Sequence, residues 1–124
     1  MARRSSLADD PMTGVSPAEQ DDSLACPVAR TASIVSGKWT LLIIRDLTYG
    51  TKRFSELERS LVGISPKTLS ERLSALESEG IVQRKTYAEV PPKVEYSLTE
   101  KGQALFTLIE DMRDYGRRWL GCKG

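Results

Sequence analysis

The apolar residues recur every three or four positions from residue 26 to about residue 80, which is the period of an amphipathic α-helix. Pro27 suits the first turn of a helix, and Ser65 followed by Pro66 is typical of a later helix start. The residues from 38 to 49 are apolar on nearly every side, as in a helix at the centre of a core. The pattern therefore predicts four helices, over residues 26–35, 38–49, 54–61 and 65–79.

The pattern changes to alternation after residue 80. From Val94 to Leu98 apolar and polar side chains alternate, and a Pro-Pro pair precedes this segment. We expect a β-hairpin with strands over residues 81–87 and 93–98. Thr99 is a suitable cap for one last helix, which we expect to run to about Leu120. This order is that of a winged helix-turn-helix, mainly α with a small β-hairpin.

The fourth predicted helix carries the residues with the clearest chemistry. Its leucines should pack inward, so the opposite side is presented outward. Helices of this kind read DNA with their N-terminal residues, and the candidates are Ser65, Lys67, Thr68 and Glu71. Arg72 lies nearer the buried side and suits a phosphate contact or a local ion pair. The alternative for each residue is an ordinary solvated helix face.

Basic residues also mark the predicted hairpin and the segment before the third helix. They are Arg84, Lys85 and Lys93, with Lys52 and Arg53. A stiff basic hairpin suits contact with phosphates or entry into the minor groove. The alternative is an exposed hairpin whose charges oppose aggregation.

The last predicted helix has an apolar stripe from residue 105 to residue 119, longer than a small hairpin and three helices can cover. Pairing it and the first helix with a second copy would bury the stripe in a two-fold interface. The expected interface residues are Val28, Ala32, Leu108, Met112, Tyr115 and Trp119. Such a homodimer would place two recognition helices about one DNA turn apart, matching a palindromic operator. The alternative is a stripe buried within one chain.

The two cysteines occupy different contexts. Cys26 stands at a predicted helix N-terminus with Arg30 one turn further on, where unpaired N–H groups favour a thiolate. It is therefore a candidate reactive cysteine or, alternatively, a small residue at a helix start. Cys122 lies beyond the last helix and is a candidate resolving thiol across a dimer, or an incidental tail thiol.

Composition narrows the function classes. The 124 residues suit one domain, with 40% hydrophobic and 28% charged residues. The absence of histidine removes the usual general base and the commonest zinc ligand, so we expect no catalytic residues, metal or cofactor. No apolar run is long enough for a membrane span and no signal peptide opens the chain, which favours a cytoplasmic location without membrane contact.

The charge is unevenly distributed. Residues 1–25 carry two Arg against five acids, whereas residues 26–124 carry 16 basic against 12 acidic residues, a mild preference for phosphate. We expect residues 1–23, rich in Ser, Asp, Pro and Gly, to form a disordered extension, and residues 24–124 to form the DNA-binding and dimerisation domain. Arg3 and Arg4 would contact DNA as an arm, or belong to a tail without function.

Several segments match a known family in order. Residues 24–120 resemble the HxlR-type branch of the MarR-like winged helix-turn-helix transcriptional regulators. The match comprises residues 26–28, 37–39, 41–44, 53–57, 64–73, 76–82 and 91–102. The resemblance implies a homodimeric bacterial regulator, usually a repressor, often answering electrophiles or oxidants through a cysteine at the position of Cys26. The extension 1–23 and Cys122 depart from the family pattern.

Three classes of function compete. The first is a dimeric, operator-binding transcriptional regulator, switched by modification of Cys26 or by a small ligand in the dimer crevice. The second is a winged helix used for protein interaction, with Lys67 and Glu71 contacting a partner protein. An enzyme is the least favoured, because no catalytic pair, phosphate-binding glycine loop or metal-ligand spacing is present.

Overall fold

A computed structural model describes residues 26–124. These residues belong to two units that meet in sequence between Val35 and Ser36, and each is described by itself. The expectation for residues 1–23 lies outside the described part of the chain. In the first unit, helix α1 spans Pro27–Val35, and the carbonyl of Cys26 accepts a hydrogen bond of 2.9 Å from Arg30 N. This helix agrees with the prediction to within one residue.

The unit Ser36–Gly124 contains five helices and a hairpin. In chain order these are α2 (Lys38–Leu47), α3 (Phe54–Ser60), α4 (Pro66–Ser78), β1 (Val82–Tyr87), β2 (Lys93–Leu98), α5 (Glu100–Gln103) and α6 (Phe106–Trp119). Helix α2 is central, as predicted, because Ile43, Ile44 and Leu47 are almost completely buried. The core around them is completed by Leu57, Leu61, Leu69, Leu73, Leu76, Ile81, Val82, Leu98 and Ile109.

Helix α4 begins and ends as the sequence predicts. The Oγ of Ser65 accepts a hydrogen bond of 3.1 Å from Thr68 N, which satisfies one of the free N–H groups of the first turn. At the other end Gly80 N donates to Glu77 O and Ile81 N donates to Leu76 O, the two bonds of a Schellman motif. Gly80 has φ +76°, which a residue with a side chain rarely adopts.

The hairpin pairs β1 and β2 in antiparallel register, with Val82 opposite Leu98 and Tyr87 opposite Lys93. A single β-bridge, which the sequence did not predict, joins Lys52 to Tyr96 of β2. Lys52 N donates to Tyr96 O at 2.9 Å and Tyr96 N donates to Lys52 O at 2.8 Å. The hairpin is therefore joined through its second strand to the segment that precedes α3.

The prediction of one continuous helix after Thr99 is wrong. Thr99 does cap a helix by accepting a bond of 3.1 Å from Gly102 N, but that helix is only the four residues of α5. The next turn tightens, with Leu105 N donating to Gly102 O at 3.0 Å, before α6 begins. Gly102 is buried against the carbonyl of Ile81, so α5 stays on the hairpin while α6 contacts α2.

Candidate nucleic-acid interface

Helix α4 has one buried side and one exposed side. Leu69, Leu73 and Leu76 are each at most 2% exposed, which confirms the predicted inward face. The exposed side presents Ser65, Lys67, Glu71, Arg72, Ser74 and Ser78. A polar helix face of this kind, next to a hairpin, has the form that fits a DNA major groove.

The hydroxyls of Ser65 and Thr68 fix the start of α4. Ser65 Oγ donates to Thr68 Oγ1 at 3.0 Å while accepting from Thr68 N. The Ser65 proton is therefore used within the cap, whereas the Thr68 hydroxyl keeps its own proton to donate. Thr68 is half-buried and Ser65 is exposed. Of the two, Thr68 is the better suited to contact a base.

Three charged side chains on α4 are available for an external partner. Lys67, Glu71 and Arg72 are exposed, and within residues 26–124 none of them forms an ion pair. Arg72 is exposed, like the other two. It does not form a local ion pair with any described residue, which was one of the two roles expected for it. Ions without an intramolecular partner can be placed against phosphates or base edges without first breaking a contact.

The basic residues of the hairpin divide between its two faces. The Nζ atoms of Lys85 and Lys93 lie 5.0 and 4.9 Å from the centre of the Tyr87 ring, and Lys93 also pairs with Glu95 at 3.3 Å. A hydrogen bond from Tyr87 is the main cause that lowers the pKa of Glu95; Lys93 and Arg53 act in the same direction and burial opposes them. One face of the hairpin therefore carries Lys85, Tyr87, Lys93 and Glu95.

Arg84 lies on the other face of the hairpin. Its Nε is 3.9 Å from Glu77 on α4, a long pair between two exposed residues that contributes little stability. Arg84 is therefore beside α4, while Lys85 and Lys93 face away from it. The structure thus separates three residues that the sequence grouped together.

Lys52 and Arg53 precede α3. Lys52 is half-buried and is fixed by its backbone to Tyr96, whereas Arg53 is exposed and its N–H donates to Glu56 Oε1 at 2.7 Å. Arg59, also exposed, makes no ion pair with any residue described. Sequence reasoning omitted Arg59, because nothing local separates it from an ordinary surface arginine.

The predicted dimer residues on α6 are only partly covered. Leu108 is half-buried, whereas Met112, Tyr115 and Trp119 are 47%, 60% and 67% exposed. On α1, Val28 and Ala32 are exposed. An apolar stripe that remains open along two turns of α6 is suited to cover by another protein surface.

Both cysteines are exposed and carry free thiols. Cys26 directly precedes Pro27 at the start of α1, as predicted. Cys122 folds back on α6: its N donates to Gly116 O at 3.2 Å, and its Sγ would be 3.7 Å from a Cβ placed on Gly116. Among residues 26–124 no group of His, Cys, Asp or Glu is arranged to hold a metal ion.

Comparison with known proteins identifies the family. The profile described as HxlR-like helix-turn-helix matches residues 34–123. The chain belongs to the HxlR-like helix-turn-helix family. The predicted resemblance to the HxlR-type regulators and the winged helix-turn-helix fold are both confirmed, and membership identifies the protein as a transcriptional regulator.

Named relatives of this HxlR-like chain agree with that assignment. It is 41% identical over 99 residues to an HTH-type transcriptional regulator YdeP of Bacillus subtilis, covering 80% of this chain and 77% of that protein. Another B. subtilis HTH-type regulator, YvaP, is 40% identical over 101 residues, covering 81% of this chain and 94% of that protein.

Solved structures of similar proteins include two whose state of oxidation is stated. The redox regulator HypR in its reduced form is 40% identical, with a TM-score of 0.72 over 74% of this HxlR-like chain and 91% of that chain. The reduced form of the transcriptional regulator YodB from B. subtilis is 41% identical, with a TM-score of 0.67 over 76% of this chain and 93% of that one.

In the described range, none of the helices has the length and apolar character that crossing a membrane requires.

Proposed function

We propose that this regulator is a cytoplasmic homodimer without enzymatic activity. It binds a palindromic DNA operator and represses transcription there. The observation that carries the proposal is the division of α4 into two sides: the leucine side is buried, and the exposed side carries Lys67, Glu71 and Arg72, none of which forms an ion pair with a described residue. A rigid helix that presents free charges beside a basic hairpin suits recognition of duplex DNA.

Each candidate residue has a role that suits its surroundings. Lys67, Thr68 and Glu71 contact base edges, and Ser65 holds the helix start in position. The phosphate contacts come from Arg72, Arg84, Lys85, Lys93, Lys52 and Arg53. Lys93 contributes least among these, because it is half-buried and paired with Glu95.

The dimer is proposed to form through α6 and α1. Exposed Met112, Tyr115 and Trp119 on α6 support this, together with the half-buried Leu108 and, on α1, the exposed Val28 and Ala32. Burial of these side chains against their copies removes an apolar surface from water. Two copies of α4 then face successive major grooves.

The proposed switch is oxidation of Cys26. The similarity to HypR and YodB supports it, as does the exposed position of Cys26 at the start of α1. Cys26 of one subunit and Cys122 of the other give up two protons and two electrons to an oxidant such as diamide, which becomes the hydrazine, and a disulfide forms. A covalent bond across the dimer changes the spacing of the two α4 helices. Binding of a small ligand or electrophile in the dimer crevice is the second candidate switch.

Selection of bound DNA from a random pool, with and without diamide, tests operator recognition and the switch together. We expect a two-fold symmetric site that binds at nanomolar concentration at physiological salt. Binding without preference over random duplex up to about micromolar protein would remove the proposal.

The rival function, a protein-interaction module, is tested by neutralising charge. Replacing Lys67, Arg84 and Lys85 by Ala together should weaken operator binding by more than about tenfold. The control is Lys123→Ala, which removes one exposed charge beyond α6. Unchanged operator affinity in the triple variant would favour the rival.

A further inference from the structure

Asp46 is a buried charge within the central helix α2. The residue is 7% exposed, and its Oδ1 accepts two hydrogen bonds from its neighbour Arg45, at 3.0 Å from Nε and 2.8 Å from the terminal nitrogen. Its Oδ2 is also buried and has no hydrogen-bond partner among the residues described. Native proteins rarely leave a carboxylate oxygen in this state, because it has lost water without gaining a donor.

Asp46 lines a cavity of about 330 Å³ between the end of α2 and α3. We call it the α2–α3 cavity, and its wall consists of Asp46, Tyr49, Lys52, Glu56, Arg59 and Ser60. Its volume lies at the lower end of the range for sites that hold small molecules.

The wall presents both signs of charge. Asp46 and Glu56 are acidic, and Lys52 and Arg59 are basic and make no ion pair within the described residues. The hydroxyl of Tyr49 accepts a bond of 2.8 Å from Arg113, which leaves its own proton to donate. The cavity therefore offers a buried acceptor, hydroxyl donors and two cations that have no ionic partner among residues 26–124.

We propose that the α2–α3 cavity binds a small zwitterion of the free α-amino acid class. The ammonium group is received by Asp46, and the carboxylate by Lys52 and Arg59. Because Oδ2 is covered, entry requires a wall side chain to move, and Lys52 and Arg59 are long and flexible enough to do so.

A ligand of a single charge fits less well. An anion satisfies Lys52 and Arg59 but leaves Asp46 Oδ2 without a donor. A cation meets Asp46 but lies beside two unpaired basic groups. A molecule with both charges gives a donor to Asp46 Oδ2 and a counter-charge to Lys52 and Arg59, which make no ion pair within the described residues.

The cavity borders three elements of the DNA-binding unit. Arg59 and Ser60 are on α3, Lys52 pairs with the hairpin through Tyr96, and Tyr49 is bonded to Arg113 on α6. Occupation of the cavity therefore favours one arrangement of α3 and the hairpin over others, and makes the zwitterion an effector of operator binding. This consequence rests on the proposed function, whereas binding of the zwitterion itself does not.

The test is an NMR titration of the full-length reduced protein, without DNA, against the proteinogenic amino acids. We expect at least one to cause saturable shifts of the amide signals around Asp46, Tyr49 and Arg59 below about 10 mM. Where alanine binds, propionate and ethylamine, which each lack one of its charges, should bind at least about tenfold more weakly. No saturable shift with any amino acid would overturn the proposal.

Asp46→Asn should weaken binding of the same amino acid by at least about tenfold, since the ammonium loses the carboxylate oxygen Oδ2 that would accept its hydrogen bond. The matched control is Asp111→Asn, an exposed acid on α6 outside the cavity, which should bind like the wild type. If Asp46→Asn does not fold, Arg59→Gln at an exposed position replaces it, with the same expected loss. Unchanged binding in the folded variant would contradict the assignment.

Operator affinity measured in parallel distinguishes failure of the α2–α3 cavity proposal from failure of the proposed DNA-binding function. Operator binding without any amino-acid titration removes the α2–α3 site alone, and titration without operator preference removes the proposed function alone. Shifts of Lys52 and Arg59 caused by inorganic phosphate, and unaltered in Asp46→Asn, would identify a phosphate contact instead and overturn the zwitterion site.

Discussion

The backbones of Lys52 and Tyr96 form two reciprocal hydrogen bonds, 2.9 and 2.8 Å long. This pair is a single β-bridge that joins the hairpin to the residue two positions before α3. The position of the hairpin relative to the helix-turn-helix therefore depends on this pair as well as on Val82 and Leu98, which are buried in the core.

Lys52→Pro should lower the free energy of unfolding by about 1–3 kcal/mol, because proline lacks the N–H that Tyr96 O accepts. Urea denaturation measures it, and operator affinity should fall as the hairpin loses its position. The control is Lys52→Ala, which keeps both backbone bonds and removes only a charge. In that variant, a plot of the logarithm of the operator-binding constant against the logarithm of the salt concentration should be less steep by about one unit of slope. Equal loss of stability in the two variants would contradict this account of the pair.

Gly102→Ala should destabilise the protein by about 1–3 kcal/mol, since the new methyl would overlap the carbonyl oxygen of Ile81. Thermal unfolding followed by circular dichroism measures the change. Gly116→Ala is the matched control on α6, where the new Cβ meets only Cys122 among the described residues, at ordinary contact distances of 3.7 Å from Sγ and 3.9 Å from Cβ. There alanine should stabilise the helix by up to about 1 kcal/mol. A neutral effect at Gly102 would show that α5 can move away from Ile81.

The hairpin should weaken in acid through Glu95. Its pKa in the folded protein is lowered, chiefly by the hydrogen bond from Tyr87, so the ionised form is favoured on folding. This contribution is present above the pKa of the unfolded chain and is lost as the pH falls through the folded pKa. The difference in Tm between wild type and Glu95→Gln should be largest near neutral pH and should shrink as the pH falls through the folded pKa of Glu95. A difference that stays constant from neutral to acid pH would exclude Glu95 as its source.

Met112→Lys should convert the dimer to monomer and weaken operator binding, because it places a charge on the exposed stripe of α6. Sedimentation analysis measures the assembly. Asp111→Lys makes a larger change of charge at the adjacent exposed residue, outside the stripe, and should remain dimeric. A dimeric Met112→Lys variant would locate the interface elsewhere.

Cys26→Ser should remain bound to the operator after treatment with diamide, whereas the wild type should dissociate. The exposed thiol at the start of α1 gives the physical reason, and a gel shift before and after treatment measures it. Cys122→Ser separates the two thiols: retained release in that variant would show that Cys122 is not the resolving partner. Equal release by wild type and Cys26→Ser would show that Cys26 is not the sensor.

Local signals predicted most of the fold. Ser65 and Gly80 set the ends of α4, and the spacing of Leu69, Leu73 and Leu76 correctly predicted its buried side. These features depend on residues close in sequence, so a single sequence contains enough information to place them.

Features that depend on distant residues were not predicted. The apolar period continues across Ala104 and Leu105, so the break between α5 and α6 has no local signal and follows from contact between Gly102 and Ile81. The pairing of Lys52 with Tyr96 is equally non-local.

Two features of the candidate sites could have been predicted from the sequence but were not. Arg84 and Lys85 are adjacent in a strand, and the period of two already places them on opposite faces. Asp46 stands among Ile43, Ile44 and Leu47 in a helix described as apolar nearly all round, so its burial was foreseeable. Its unpaired oxygen was not, because the partners of a side chain depend on the tertiary arrangement.

The residues that shape α4 are distinct from those it exposes. The leucine side, the Ser65 cap and the Gly80 turn determine where the helix lies, while Lys67, Glu71 and Arg72 make no ion pair with any described residue. Substitutions at these three positions are therefore nearly free of cost to folding. Gene duplicates of such a protein can acquire new target sites during evolution by changing a few surface residues, without passing through unstable intermediates.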